Sequence, residues 1–190
     1  MKVIIEASAR HVHLSKADLE TLFGSGYELK YKKELSQPGQ FACEERIDIE
    51  GTKGVIKGVS ILGPTRNITQ VEISLSDARK IGVQALIRES GDLNDTNGVK
   101  LIGPAGSIVL EKGCISAKRH IHLSPDEAKD ANVIDKEVVM VKIITPNRSL
   151  IFDDVVVRVN ENFRAAMHID TDESNAAGID SVTYGEIIKK

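Results

Sequence analysis

The sequence predicts a mainly β protein made of two internally duplicated β-barrel domains with short capping helices. Three observations lead to this prediction: one motif occurs twice, many short apolar runs are separated by Gly and Pro turns, and few segments carry helical signals. Many short strands with few helices are typical of barrels and sandwiches. A chain of 190 residues has room for two such domains, each with a modest core.

The clearer repeat is a His-x-His pair. Residues 8–18 read SARHVHLSKAD, and residues 117–127 read AKRHIHLSPDE. The two pairs lie 109 positions apart (120 − 11), and the Arg, both His, the Leu and the first Ser after it are identical in the two segments. Self-similarity of this kind indicates an internal duplication. A weaker repeat aligns residues 72–82 with residues 168–178, which places Glu72 opposite His168.

The duplication predicts the domain organisation. We expect one domain over residues 1–92 and a second over residues 93–190, because the polar stretch 91–98 reads as a loop. Exchange of strands across this boundary stays open as an alternative.

Local signals place helices and strands within each domain. Ser15 with Asp18, and Ser124 with Glu127, have the spacing of a capping box, which predicts a helix directly after each histidine motif. Apolar runs bounded by turn residues predict the strands. These predicted strands span residues 45–50, 55–62, 107–110, 138–144 and 150–159.

Composition excludes several classes of partner. The net charge of −3 gives no broad attraction to nucleic acid or to anionic membranes. Tryptophan is absent and aromatic residues make up only 4% of the chain, so stacking surfaces for single-stranded nucleic acid are poorly supplied. No apolar run approaches the roughly 18 to 20 residues of a membrane-spanning helix. Cys43 and Cys114 lack metal-binding spacing and are expected to be free thiols in a reducing compartment.

All five histidines of the chain lie in the repeated segments. A His-x-His pair on a strand directs both imidazoles to one face, because strand side chains alternate. With a third candidate in each half, three ligands leave one metal position open, as in catalytic zinc sites. A structural zinc is the alternative, although closed structural sites usually have four protein ligands. The predicted metal ligands are His11, His13 and Glu72 in the first half, and His120, His122 and His168 in the second.

Arg66 is the predicted anion-binding residue. It follows a Gly-Pro turn and lies six residues before Glu72. A guanidinium binds phosphate through two parallel hydrogen bonds and keeps its charge. A solvated surface arginine is the alternative on position alone. Neither a GxSxG elbow nor a P-loop is present, so covalent catalysis is unsupported.

Six segments carry a resemblance to a known family. They read RHVHLS at 10–15, QPGQFACEE at 37–45, LGPTR at 62–66, TQVEIS at 69–74, RHIHLS at 119–124 and MHIDTDE at 167–173. Together they resemble the PduL-type phosphate propanoyltransferases over nearly the whole chain.

The resemblance implies a phosphotransacylase, which interconverts a short-chain acyl-CoA plus phosphate with acyl phosphate plus CoA. It implies two zinc ions per chain on the six predicted ligands, with phosphate held by these ions and by Arg66 as the catalytic residue, and attacking the thioester directly. Contacts to coenzyme A are implied at Ala7, Ser8, Ala9, Lys53, Ser60 and Asn175. Ser60 departs from the family, which has a basic residue there.

The resemblance also implies the partners, which are acyl-CoA, inorganic phosphate and acyl phosphate; a homodimer is a further expectation. Relatives housed in bacterial microcompartments carry an N-terminal targeting extension, whereas ten residues precede His11 here. We therefore expect a cytoplasmic location, with the microcompartment lumen as the alternative. Two rival functions stay open: a metal-dependent thioester or phosphoester hydrolase, and a non-catalytic zinc-binding structural protein.

Overall fold

The computed structural model describes all residues from Met1 to Lys190. The predicted mainly β class with short capping helices is confirmed. None of the helices has the length and apolar character that crossing a lipid bilayer requires. The elements in chain order are β1 (Lys2–Ala7), β2 (His11–His13), α1 (Lys16–Phe23), β3 (Tyr31–Glu34), β4 (Phe41–Glu50), β5 (Val55–Gly63), β6 (Gln70–Glu72), α2 (Leu75–Ile81), β7 (Leu86–Arg88), β8 (Lys100–Ile102), β9 (Ser107–Val109), β10 (Cys114–Ala117), β11 (His120–Leu123), α3 (Pro125–Asp130), β12 (Val138–Ile143), β13 (Leu150–Val159), β14 (Ala166–Ile169), α4 (Thr171–Ala177) and β15 (Thr183–Ile188).

The chain divides into two compact units. We call them the barrel unit, formed by Met1–Ser8, Ser36–Pro38 and Lys118–Lys190, and the sheet unit, formed by Ala9–Leu35 and Gly39–Ala117. Their bounds differ from the expected halves 1–92 and 93–190. The physical reason is strand pairing: β1 pairs with β14 and β15, whereas β10 pairs with β6 and β7. The strand that precedes each histidine motif therefore belongs to the other unit.

The two units share one pairing scheme around the histidine strands. In the barrel unit the strands close in the order β1-β14-β11-β13-β12-β15. In the sheet unit the order is β7-β10-β6-β2-β5-β4-β8-β9, with β3 added on β4. There an isolated antiparallel bridge between Asn97 and Cys114 joins the chain before β8 to β10. Each histidine strand lies between one parallel and one antiparallel neighbour.

Each unit has its own apolar core, which fixes the orientation of the histidine strand. Val12 in the sheet unit and Ile121 in the barrel unit are fully buried members of these cores. Because side chains alternate along a strand, the histidines on either side of these residues point to the opposite face. The core thus decides which face carries the imidazoles.

A short helix follows each histidine strand, as predicted. Ser15 and Ser124 cap α1 and α3 by accepting hydrogen bonds from the backbone N–H groups of Asp18 and Glu127. Of these two helices, only α3 has the reciprocal half of the capping box, because the backbone N–H of Ser15 donates to the Thr69 hydroxyl instead. These caps end the histidine strands at fixed points.

Candidate metal centre

The first group of predicted ligands meets on β2 and β6 of the sheet unit. These strands are antiparallel, with His11 directly opposite Glu72. Nε2 of His11 lies 3.4 Å from Oε2 of Glu72. One potential ligand atom from each of His11, His13 and Glu72 falls within 4.8 Å of the others. We call this group the histidine–glutamate site.

The second group meets in the same way on β11 and β14 of the barrel unit. His120 lies directly opposite His168 in the antiparallel ladder. The ring centroids of His120 and His122 are 4.7 Å apart, and those of His122 and His168 are 4.8 Å apart. The ligand atoms of all three residues again fall within 4.8 Å of one another. We call this group the three-histidine site.

Backbone carbonyls fix one ring nitrogen in the first histidine of each pair. Nδ1 of His11 lies 2.8 Å from the Ala9 carbonyl, and Nδ1 of His120 lies 2.8 Å from the Lys118 carbonyl. A carbonyl only accepts, so Nδ1 must carry the proton and Nε2 keeps its lone pair. Metal-ligating histidines commonly donate their other ring N–H to a carbonyl or carboxylate in this way.

Two other ring nitrogens are buried without any hydrogen-bond partner: Nδ1 of His13 and Nδ1 of His122. An unsatisfied buried polar atom costs free energy, so such atoms call for an explanation. A divalent metal ion would satisfy these lone pairs. The donor sets, imidazole with or without carboxylate, suit zinc and related ions.

The electrostatics favour the neutral form of His13 and His122 and the ionised form of Glu72. For His11, burial lowers the pKa, but the Glu72 carboxylate outweighs burial and the net shift is upward. Burial, with the positive charges of His11 and Arg66 nearby, lowers the pKa of His13 to about 3. Burial, with the other two histidines of its site, also holds the pKa of His122 well below its ordinary value. For Glu72, burial raises the pKa, but the positive charges around it outweigh burial and the net shift is downward. The imidazoles of His13 and His122 are therefore neutral near pH 7, and the carboxylate of Glu72 is ionised.

Arg66 lies beside the histidine–glutamate site. Its backbone N–H donates to the Leu14 carbonyl at 2.9 Å, which fixes it next to the end of β2. Its Nη1 donates to the Ser90 hydroxyl at 3.3 Å, and that hydroxyl donates to Glu72 at 3.2 Å. The guanidinium is thus held one side chain away from a predicted metal ligand. The position suits an anion bound at this site.

The residues proposed to contact coenzyme A are spread over both units. Ala7 ends β1 and pairs with Ile169, and the backbone N–H of Ser8 donates to the Ile169 carbonyl at 2.7 Å. Ala9 holds His11 through its carbonyl, and Ser60 pairs with His11 in the β2–β5 ladder.

Two further positions in this set lie in a turn and a helix. Lys53 is exposed in the turn between β4 and β5, and Asn175 is exposed on α4. In the barrel unit, Ala7 lies on β1, which pairs with β14, Ser8 directly follows β1, and Asn175 lies on α4, which follows β14. In the sheet unit, only Ala9 and Ser60 adjoin a histidine strand.

Sequence reasoning missed several polar neighbours of the two sites. Gln70 donates to Glu72 and to Ser90, so it holds the carboxylate in place. Period two along β6 could have found Gln70, but Ser90 lies on a separate loop. Arg158 pairs with His122 across β11 and β13. Glu6 contacts His168 from a position 162 residues earlier (168 − 6), which no local pattern reveals.

Comparison with known proteins identifies the family. The phosphate propanoyltransferase family model matches residues 4–180. A phosphate propanoyltransferase of Clostridioides difficile is 53% identical over 186 residues, covering 98% of this chain and 88% of that protein. The same-named protein of Thermotoga maritima is 55% identical over 175 residues, covering 92% and 83%. That of Listeria monocytogenes is 52% identical over 188 residues, covering 99% and 88%. The resemblance seen in the sequence is therefore confirmed, and the chain belongs to the phosphate propanoyltransferase family.

Proposed function

We propose that this protein is a phosphotransacylase that converts a short-chain acyl-CoA and phosphate into acyl phosphate and CoA, in either direction, with one zinc ion at each site. The observation that carries the proposal is the pair of preformed, largely buried ligand groups in a chain of this family. Three ligands per ion leave coordination positions open for a substrate oxygen.

The protein's own residues supply binding and orientation. A metal ion held by these ligands would act as a Lewis acid and offset the charge of bound phosphate. Arg66 binds a phosphate oxygen by charge-assisted hydrogen bonds and keeps its charge at any working pH. Glu72, held by Gln70 and Ser90, keeps its carboxylate in one orientation. Positioning phosphate against the thioester removes much of the entropic barrier.

The chemical step balances without a covalent enzyme intermediate. A phosphate oxygen attacks the thioester carbonyl carbon, the C–O bond forms, and the C–S bond breaks with the electron pair leaving on the CoA sulfur. The oxyanion that develops is stabilised by positive charge in the site. Ala7, Ser8, Ala9, Lys53, Ser60 and Asn175 are the residues proposed to hold CoA.

The proposal is tested by phosphate-dependent release of CoA thiol. Metal-loaded and chelator-stripped protein are compared on acetyl-, propanoyl- and lactoyl-CoA, each with and without inorganic phosphate. We expect turnover only with both metal and phosphate, and acyl phosphate as the product trapped by hydroxylamine. Thioester loss at the same rate without phosphate would instead show a hydrolase. Metal binding without turnover on any substrate would show a structural zinc protein.

A further inference from the structure

Glu6 lies beside the three-histidine site but is not one of its predicted ligands. It lies on β1, directly opposite His168 in the parallel β1–β14 ladder. Oε2 of Glu6 is 3.1 Å from Nε2 of His168. With Nε2 directed to this carboxylate, Nδ1 is the ring nitrogen of His168 that is left to bind a metal ion. Glu6 is therefore placed to act on His168.

The corresponding position in the sheet unit carries no charge. There β10 takes the place of β1, and Ile115 lies opposite Glu72. The histidine–glutamate site has its carboxylate among its own ligands, whereas the three-histidine ligands are all neutral when ligating. With Glu6 counted, each site has one carboxylate. In the histidine–glutamate site the carboxylate lies on β6, which carries a ligand, whereas in the three-histidine site it lies on the neighbouring strand β1.

A short segment from another part of the chain holds Glu6 in place. The Ser36 hydroxyl donates to Oε2 of Glu6 at 2.5 Å. Gln37 is 2% exposed and clamps the backbone of Arg164, donating to its carbonyl at 3.0 Å and accepting from its N–H at 3.3 Å. Ser36–Pro38 is the piece of chain that joins the barrel unit between two stretches of the sheet unit. A buried amide with both ends satisfied makes this a fixed support.

We infer that Glu6 is a positioning residue of the three-histidine site, which orients the His168 ring and supplies the negative charge that the ligands there lack. Carboxylates that contact a metal-bound imidazole fix its ring and raise its basicity, and their loss typically weakens metal binding about 10- to 100-fold. This inference rests on the proposed metal role of His168. Ser36 supports Glu6 in turn.

The test measures metal affinity at each site separately. Cobalt(II) binding is followed by its visible absorption and by competition with a chelator, in the wild type and in Glu6→Gln. The same change is made in a His13→Ala background, where only the three-histidine site should stay intact. We expect Glu6→Gln to weaken one of the two ions about 10- to 100-fold, to alter the cobalt spectrum, and to leave the other ion within about twofold.

Two further variants separate the loss of the Glu6 contact from a general effect on the stability of the barrel unit. Glu186→Gln removes an exposed carboxylate from β15 of the same unit and should leave both ions unchanged. Ser36→Ala should weaken the same ion as Glu6→Gln, but less.

Each remaining outcome is decisive. Wild-type affinities and spectrum in Glu6→Gln would overturn the inference while leaving the proposed function intact, and equal weakening of both ions would show a merely structural role. A wild type that binds no metal would refute the proposed function and this inference with it.

Discussion

The histidine–glutamate site and the three-histidine site occupy equivalent positions in two related units, yet differ in their charged neighbours. The backbone N–H of Arg66 donates to the Leu14 carbonyl, and that of Asn160 donates in the same way to Leu123. Arg66 and Asn160 are therefore structural counterparts, one cationic and one neutral. The two units thus share the strand pairing around their ligand groups, but equivalent positions next to these groups carry different charges.

The residues that orient the third ligand differ in the same manner. Gln70 lies opposite His13 and donates a hydrogen bond to the carboxylate of Glu72. Ala166 lies opposite His122 and has no side-chain group that could donate to His168. In the three-histidine site the polar contact to the third ligand comes from Glu6 on β1 instead. The comparison indicates that the two units share the strand pairing around each ligand group and differ in the side chains that surround it.

The largest expected effect removes one buried ligand from each site. His13→Ala and His122→Ala should each lower the metal content from two ions to one per chain. Turnover should fall by about 10³-fold or more in both, since a metal ion contributes several kcal/mol of charge stabilisation to the transition state. Elemental analysis by mass spectrometry and the thiol-release assay measure the two effects.

These ligand variants also test whether the two sites are equally needed. Circular dichroism and thermal melting serve as the control for folding, because each variant removes a buried side chain. A variant that keeps both ions and the full rate would show that the altered histidine is not a ligand. Loss of metal with unchanged turnover would show that the site is structural.

An intermediate effect is expected from the counterparts Arg66 and Asn160. Arg66→Ala should lower kcat/KM for phosphate by about 10- to 100-fold, because charge-assisted hydrogen bonds contribute roughly 1.5–3 kcal/mol. Arg66→Lys should lose less, since the charge stays but the two-pronged geometry is lost. Asn160→Ala is the matched control and should stay within about twofold. The measurement is steady-state kinetics with phosphate varied. Equal kcat/KM values for Arg66→Ala and Asn160→Ala would show that Arg66 does not bind phosphate.

The smallest effect concerns the two thiols, which both lie in the sheet unit. Burial raises the pKa of Cys43 to about 11 and that of Cys114 to about 12. Both thiols stay protonated in the folded protein while those of the unfolded chain ionise near pH 9, so stability should fall as the pH rises above 9. Thermal melting from pH 7 to pH 10 measures this loss.

Replacing a thiol provides the control for this pH effect. Cys114→Ala should flatten the dependence of the melting temperature on pH, whatever its own effect at pH 7. Native-state modification by Ellman's reagent at pH 8 should be on the order of 100-fold or more slower than in denaturant. Rapid modification of both thiols in the folded protein would contradict their burial.

Much of the fold could be predicted from local patterns. The strand predicted over residues 150–159 matches β13, and Ser15 and Ser124 cap the helices that follow the histidine strands. Period two correctly separated Val12 and Ile121 from the histidines, because core and site lie on opposite faces of one strand. These features depend on neighbours within a few residues.

The unit bounds could not be predicted in the same way. Assigning β1 to one unit and β10 to the other depends on hydrogen bonds to strands far away in the chain, and either strand could pair with several edges of similar pattern. The sequence left strand exchange open as an alternative, and the pairings of these two strands show where each one lies.

The amino-acid sequence by itself determined the repeat, the ligand types and their placement on one strand face, because these follow from spacing and alternation. Only the tertiary structure decided which side chains surround each ligand group. Glu6, Ser36 and Ser90 come from separate elements, and their contacts exist only after long-range pairing brings those elements together. Local periodicity carries no information about such contacts, since it describes which way a side chain points and not what it meets.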